Sequence, residues 1–206
     1  MIDHDLSKEK QILAAAEKVF LDKGYSASKT MEIAEMAGVN HALLHYYFRT
    51  KEKLFHKVFT EKMELFINSF RELFDQELPF FELIRFIIEK QYDFFAENEK
   101  LPHFIIHEIM ANEQHRLLFR DHFFPKFQKN IAVIESLLQE EIRKETIREI
   151  GFIDLIISIS SLNMFFFLIK PVVELFREEN RNFQIESLFE ERKKVHVDQI
   201  LQWLKR

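Results

Sequence analysis

Residues 30–49 read TMEIAEMAGVNHALLHYYFR, and the order of small, turning, apolar and capping residues along them decides the fold. Ile33, Ala34 and Ala37 share one face of a short helix, and Ala34 is small enough to let a second helix come close. Gly38 can take the positive φ that a sharp turn between two helices requires. Val39 fills the core beside the turn, and Asn40 supplies a side-chain oxygen to cap the next helix. Leu44 and Phe48, four apart, turn the apolar face of that helix inward and leave His41, Ala42, His45 and Tyr46 pointing outward. A small residue, a glycine, an apolar plug and a cap at these offsets have the sequence form of a DNA-binding helix-turn-helix.

Outward from this stretch the chain reads as all-α. Apolar residues recur at spacings of three and four, as in Ile12, Ala15, Ala16, Val19 and Phe20, or Leu54, Phe55, Val58, Phe59, Phe66 and Phe70. With only three glycines and four prolines the punctuation is sparse, so each is informative. The pattern predicts a helix over 7–23, with Ser7 as its cap and Gly24 just past its end. Short helices follow over 30–37 and 40–48, then a long one that starts after Thr50 and runs to about Phe74. Pro79 and Pro102 suit the first turns of helices over 79–97 and 102–112. Pro125 either kinks a helix over 115–145 or marks its late start. An apolar helix over 152–169 continues past a kink at Pro171 to Arg177, and a last helix covers 186–205. Residues 177–184, REENRNFQ, have the composition of a surface loop.

Composition limits the function classes. Hydrophobic residues make up 47% and charged residues 31%, which excludes a disordered chain. The absence of cysteine excludes disulfides, thiolate metal sites and a cysteine nucleophile, and fits a reducing cytoplasm. The N-terminal MIDHDLSKEKQ lacks the apolar core of a signal peptide. Ile153 to Ile169 nears the length of a membrane span, but Asp154, Ser158, Ser160, Ser161 and Asn163 interrupt it, so a helix buried on most sides is expected. The net charge is −5, yet residues 1–54 hold eight Lys/Arg and eight Asp/Glu, so any DNA affinity must come from where the charges sit.

Residues 10–60 resemble the TetR-type transcriptional regulators. The resemblance rests on Ile33-Ala34, Ala37-Gly38-Val39-Asn40, Leu44, Tyr46-Tyr47-Phe48 and Lys51-Glu52-Lys53-Leu54, preceded by ILAAAEKVFLDKGYSASKT. His45 stands where the family commonly has Tyr, and Ala42 where it commonly has Gly, so an operator sequence does not carry over. The resemblance implies a helix-turn-helix DNA-binding domain over residues 1–52 and a larger helical bundle for ligand binding and dimerisation over 53–206. It implies a phosphate contact for Tyr47, and the chemistry suits Thr30 at a helix start, Lys51, Ser28 and Lys29 to the same task. With Asn40 as cap, His41, Ala42, His45 and Tyr46 are the candidates for base edges, through an imidazole N–H to purine N7 or O6 and apolar contact to a thymine methyl. An intramolecular hydrogen bond is the other reading of His45.

Residues 55–206 hold most of the 24 phenylalanines, and the resemblance implies an effector cavity among them. Its candidate lining is Phe66, Phe70, Phe104, His107, Phe127, Asn163 and Phe166, suited to an apolar or aromatic small molecule. Asn163 either faces that cavity or bonds a neighbouring helix. His103 and His107 share a helix face beside Glu108, with His115 and His122 near in sequence, but no metal motif completes them. No phosphate-cradling glycine loop or catalytic constellation is legible, so neither a cofactor nor an enzyme is expected. The last two long helices resemble the family's dimer-forming pair, which implies a homodimer on a near-palindromic DNA operator. A helical carrier or protein-interaction module without DNA binding is the alternative that the near-neutral N-terminal part keeps open.

Overall fold

The computed structural model describes residues 2–71, 78–179 and 185–206, with side chains from residue 7 onward except at 129, 176–179 and 185–186. Among them are ten α-helices: α1 (Ile2–Ala27), α2 (Thr30–Met36), α3 (His41–Phe48), α4 (Lys51–Ser69), α5 (Phe80–Glu97), α6 (Leu101–Ala111), α7 (Glu113–Arg143), α8 (Phe152–Leu168), α9 (Lys170–Glu179) and α10 (Ile185–Leu204). An antiparallel bridge between Ile147 and Lys205 is the sole β-pairing among the described residues. The helices form two compact units, one of residues 1–66 with His103–Pro125 and one of Ile67–Pro102 with Lys126–Arg206. Most of α6 and the first part of α7 are therefore grouped with α1–α3 and most of α4.

Several helix ends depart from the sequence expectation. Ser7 is no cap, because α1 begins at Ile2. Gly24 breaks α1 at φ 71°, ψ 174°, and a last helical turn follows to Ala27. Pro79 stands at the cap of α5 rather than in its first turn. Pro125 lies inside one continuous helix, so α7 has no late start there. The apolar helix ends at Leu168, and Pro171 begins a separate helix rather than kinking the same one. The proline ring belongs in a first turn, where its missing N–H costs no hydrogen bond. The expected helix end at Phe74 and most of the 177–184 loop lie outside the described residues.

In the first unit, Ile12, Ala16, Val19 and Phe20 of α1 are buried with Ile33, Ala34, Leu44 and Phe48. Gly38 sits at φ 63°, and a Cβ there would meet nothing within 4 Å. Glycine is thus required by the backbone conformation and not by crowding. Around it Val39 N–H bonds Ala34 O and Gly38 N–H bonds Glu35 O, both at 3.0 Å. This pair of bonds is the Schellman closure that satisfies the last carbonyls of α2.

In the second unit a buried polar chain joins α5, α8 and α10. Asn163 is fully buried, and its amide donates to Ile88 O at 3.0 Å and to Gln91 Oε1 at 3.1 Å. Its own oxygen accepts from His196 Nδ1 at 2.8 Å, and His196 Nε2 accepts from Arg192 Nε at 3.1 Å. Gln91 Nε2 continues the chain to Ser160 Oγ at 3.3 Å. Asn163 therefore takes the second of its two readings, the bond to a neighbouring helix. Tyr92, Phe166, Phe167 and Phe189 pack about the chain, and Tyr92 OH donates to Phe189 O at 2.6 Å. Along α8, Leu155, Ile159, Asn163, Phe166 and Phe167 are buried, whereas Ile153, Ile157 and Phe165 are 58–64% exposed. So α8 is covered on one face, and the other exposes Ile153, Ile157 and Phe165 together with Asp154 and Ser161. No helix among the described residues is long and apolar enough to cross a membrane.

Burial, and then the Arg192 guanidinium, lower the His196 pKa from 6.5 to about 4. The unfolded chain therefore binds the extra proton first, and this contribution to stability, complete above pH 6.5, is lost as pH falls towards 4. Urea midpoints measured across that window should drop more for the wild type than for His196→Asn, which has no proton to gain.

Candidate nucleic-acid interface

Helix α3 is built to be held by one face and to present the other. Asn40 Oδ1 accepts the Leu43 N–H at 2.7 Å and caps the helix. Leu44 and Phe48 are buried, whereas His41, Ala42, His45 and Tyr46 are exposed, Tyr46 by 64%. Tyr46 and Tyr47 meet edge to face at 5.5 Å between centroids, and Tyr47 is half-buried. His41 Nε2 lies 2.9 Å from Thr30 Oγ1, which ties the start of α3 to the start of α2. His45 Nδ1 donates to Arg49 O at 3.0 Å, so the intramolecular bond left open for His45 is present while the ring stays exposed. No acidic residue lies on α3, and Lys29, Arg49, Lys51 and Lys53 flank it.

The flanking cations are positioned unequally. Lys29 is exposed at the cap position of α2 and makes no capping bond. Lys51 leans over the Tyr25 ring at 4.4 Å and donates to Ser26 O at 3.4 Å. Burial lowers its pKa, and the Glu108 charge opposes that shift. Ser28 does not fit the phosphate role expected of it. It is buried, and its hydroxyl donates to Gly24 O at 2.6 Å, where it closes the turn after α1.

The candidate effector residues fall into separate clusters. In the first unit Phe104 packs on Phe55 and Phe59 as core, Phe66 stacks on Phe123, and half-exposed His107 borders Gly24. In the second unit Phe70 meets Phe127, and Asn163 and Phe166 belong to the buried chain described above. Phe166 also lines an open groove of about 650 Å³ with Ile157, Leu162, Phe165, Arg192 and His196. The His103 and His107 rings stack at 5.9 Å, and among the described residues no three His, Asp or Glu side chains come together as metal ligands.

The sequence placed Glu108 only beside a histidine pair, whereas the structure makes it the residue that organises the first unit. Glu108 of α6 is 2% exposed. Its Oε1 accepts the Tyr25 N–H at 2.7 Å and lies 3.3 Å from His107 Nδ1, and its Oε2 accepts from His115 Nδ1 at 2.8 Å. Burial alone would raise its pKa, but the bonds from His115, the Tyr25 N–H and His107 outweigh that and hold it below the usual carboxylate value. His115 in turn stacks on Phe55 at 4.1 Å. One carboxylate thus ties α6 and α7 to the turn at the end of α1. The signal was present in the sequence: Leu101, Phe104, Ile105 and Glu108 share the buried face of α6, so an acid sits where the spacing calls for an apolar residue.

Comparison with known proteins agrees with this geometry. The family model for bacterial regulatory proteins of the tetR family matches residues 12–58. The chain is 28% identical over 142 residues to the fatty acid metabolism regulator protein of Bacillus subtilis, covering 69% of this chain and 72% of that one. A solved Clostridium perfringens structure, named as a fatty acid metabolism regulator, superposes with a TM-score of 0.66 at 26% identity, covering 91% of this chain and 97% of that one. The transcriptional regulator FadR of Bacillus subtilis, solved in complex with stearoyl-CoA, shares the fold with a TM-score of 0.60 at 22% identity over 92% and 97% of the two chains.

Gly24 and Glu108 should prove to be one device. A Cβ on Gly24 would lie 2.9 Å from Glu108 Oε1 at a φ of +71°. Gly24→Ala and Glu108→Gln are each expected to cost about 1–3 kcal/mol in urea unfolding. The double variant should lose less than the sum, since both disturb the same contact, and strictly additive losses would separate them.

Proposed function

We propose that the chain is a TetR-type, ligand-responsive DNA-binding transcriptional regulator, as its match to the tetR family model over residues 12–58 and its likeness to the fatty acid metabolism regulator support, and that it acts as a homodimeric repressor released from a near-palindromic operator by an apolar effector. The observation that carries the DNA side of the proposal is α3, whose buried Leu44 and Phe48 leave His41, Ala42, His45 and Tyr46 exposed together with no acid among them. In this reading those four face base edges in the major groove. Lys29, Thr30, Tyr47 and Lys51 hold the flanking phosphates and set the register. A two-fold dimer would place two such helices about 34–36 Å apart, one turn of DNA.

The dimer surface in this reading is the bare face of α8 and its continuation. Ile153, Ile157 and Phe165 stand exposed on α8, with Val172 and Leu175 on α9. Water is a poor solvent for so long an apolar row, and a second copy is the partner the family provides. The effector we assign to this chain is a long-chain acyl thioester. The relatives named as fatty acid metabolism regulators and the stearoyl-CoA complex support that assignment, as does the wealth of Phe outside the helix-turn-helix. The protein would act in the cytoplasm, without cofactor or catalysis. Repression would end when the effector binds the DNA-incompetent arrangement more tightly than the other, through movement of α6 and of α4, which runs from one unit into the other.

Gel-shift titration against DNA from the chain's own promoter tests this proposal. Binding should weaken steeply with salt, and Lys51→Ala should lower affinity for all sequences alike while reducing the salt slope by about 1 per half-site. Stearoyl-CoA should release the complex, and free coenzyme A should not. Ile157→Glu with Phe165→Glu should yield a monomer in sedimentation and reduce operator affinity at least tenfold. Binding that ignores salt and Lys51→Ala alike would favour a helical carrier instead.

A further inference from the structure

The ring of His45 is fixed more firmly than an exposed side chain needs to be. Arg49 closes α3 at φ 60°, ψ −49°, a positive φ that an L side chain seldom adopts. In that conformation its N–H donates to His45 O at 2.9 Å while its carbonyl accepts from His45 Nδ1 at 3.0 Å. Residues 45 and 49 are thus clasped twice, once through backbone and once through the imidazole. The His41 ring meets the His45 ring edge to face, 4.4 Å between centroids, and leaves little room for rotation.

The clasp decides the chemistry of the other nitrogen. A carbonyl oxygen only accepts, so Nδ1 must carry the proton. A neutral imidazole carries one proton, and Nε2 therefore presents a lone pair. This reverses the donor role expected of this imidazole from the sequence. Major-groove donors are few. Adenine offers its N6 amino group and cytosine its N4 amino group, whereas guanine N7 and O6 and thymine O4 only accept. We propose that His45 is a hydrogen-bond acceptor in the recognition helix and that it selects an adenine or cytosine exocyclic amine in each half-site. Guanine is disfavoured there, because two acceptors would face each other. The proposal rests on the DNA-binding function stated above and adds to it the polarity of one contact.

The test begins with selection from a randomised duplex library by the wild-type protein and by His45→Ala. The half-site position at which His45→Ala alone stops discriminating is the base pair that His45 reads. At that position the exocyclic amine is then removed, with 2-pyrimidinone in place of cytosine or unsubstituted purine in place of adenine. Purine N7 is removed separately with a 7-deaza base. Loss of the amine should weaken wild-type binding roughly tenfold per half-site and leave His45→Ala unchanged, while loss of N7 should change neither. His45→Lys, which can only donate, should move the preference at that position to guanine. Dependence on N7 rather than on the amine would overturn the proposal, as would unchanged discrimination in His45→Ala. If the wild type selected no sequence but still bound DNA with a salt-dependent affinity, the base contact alone would fall. If it bound no DNA at all, the DNA-binding function would fall and the contact with it.

Discussion

The first unit depends on one buried carboxylate. Glu108 collects a backbone N–H from Tyr25 and ring nitrogens from His115 and His107, on three different segments of the chain. A carboxylate removed from water is costly unless each oxygen is bonded, and here both are. That cost gives the contact its precision, because any shift of α6 against the turn after α1 would strand a charge. Gly24 allows the approach, since any larger residue would meet the carboxylate at 2.9 Å. Ser28 closes the same turn with its hydroxyl on Gly24 O, and Lys51 covers the Tyr25 ring. Residues that look separate along the chain thus form one assembly around the end of α1.

The second unit solves a similar problem without charge. Asn163, Gln91, Ser160 and His196 lie among Phe and Ile side chains, and each donor meets an acceptor along a single chain of bonds. A neutral His196 is part of that solution, with one nitrogen donating and the other accepting. Such a chain fixes the register of α5, α8 and α10 more strictly than interchangeable phenylalanines could. It also leaves the opposite face of α8, with Ile153, Ile157 and Phe165, exposed.

The recognition helix shows how much of a site spacing alone can convey. Outward placement of His41, Ala42, His45 and Tyr46 followed directly from the four-residue spacing of Leu44 and Phe48, and the structure places all four at the surface. Asn40 caps α3 as its position implied. Ser28 misled for a physical reason: a hydroxyl just before a helix start can turn outward to a phosphate or inward to a carbonyl, and only the fold of the preceding turn chooses. For the effector candidates, spacing left two readings open. Helix-spaced Phe is equally compatible with core and with cavity, and Phe104 proves to be core.

By itself the sequence determined the all-α class, the turn at Gly38, the cap at Asn40 and the two faces of α3. These are local matters, set by backbone dihedrals, side-chain volume and the 3.6-residue period. The tertiary structure alone decided that α6 joins the N-terminal helices through Glu108, that Asn163 is spent on its neighbours, and that the imidazole of His45 donates inward to Arg49. Each of these is a hydrogen bond whose partner is chosen by folding. A residue's type says that it can donate or accept, and only the positions of the surrounding groups say to whom.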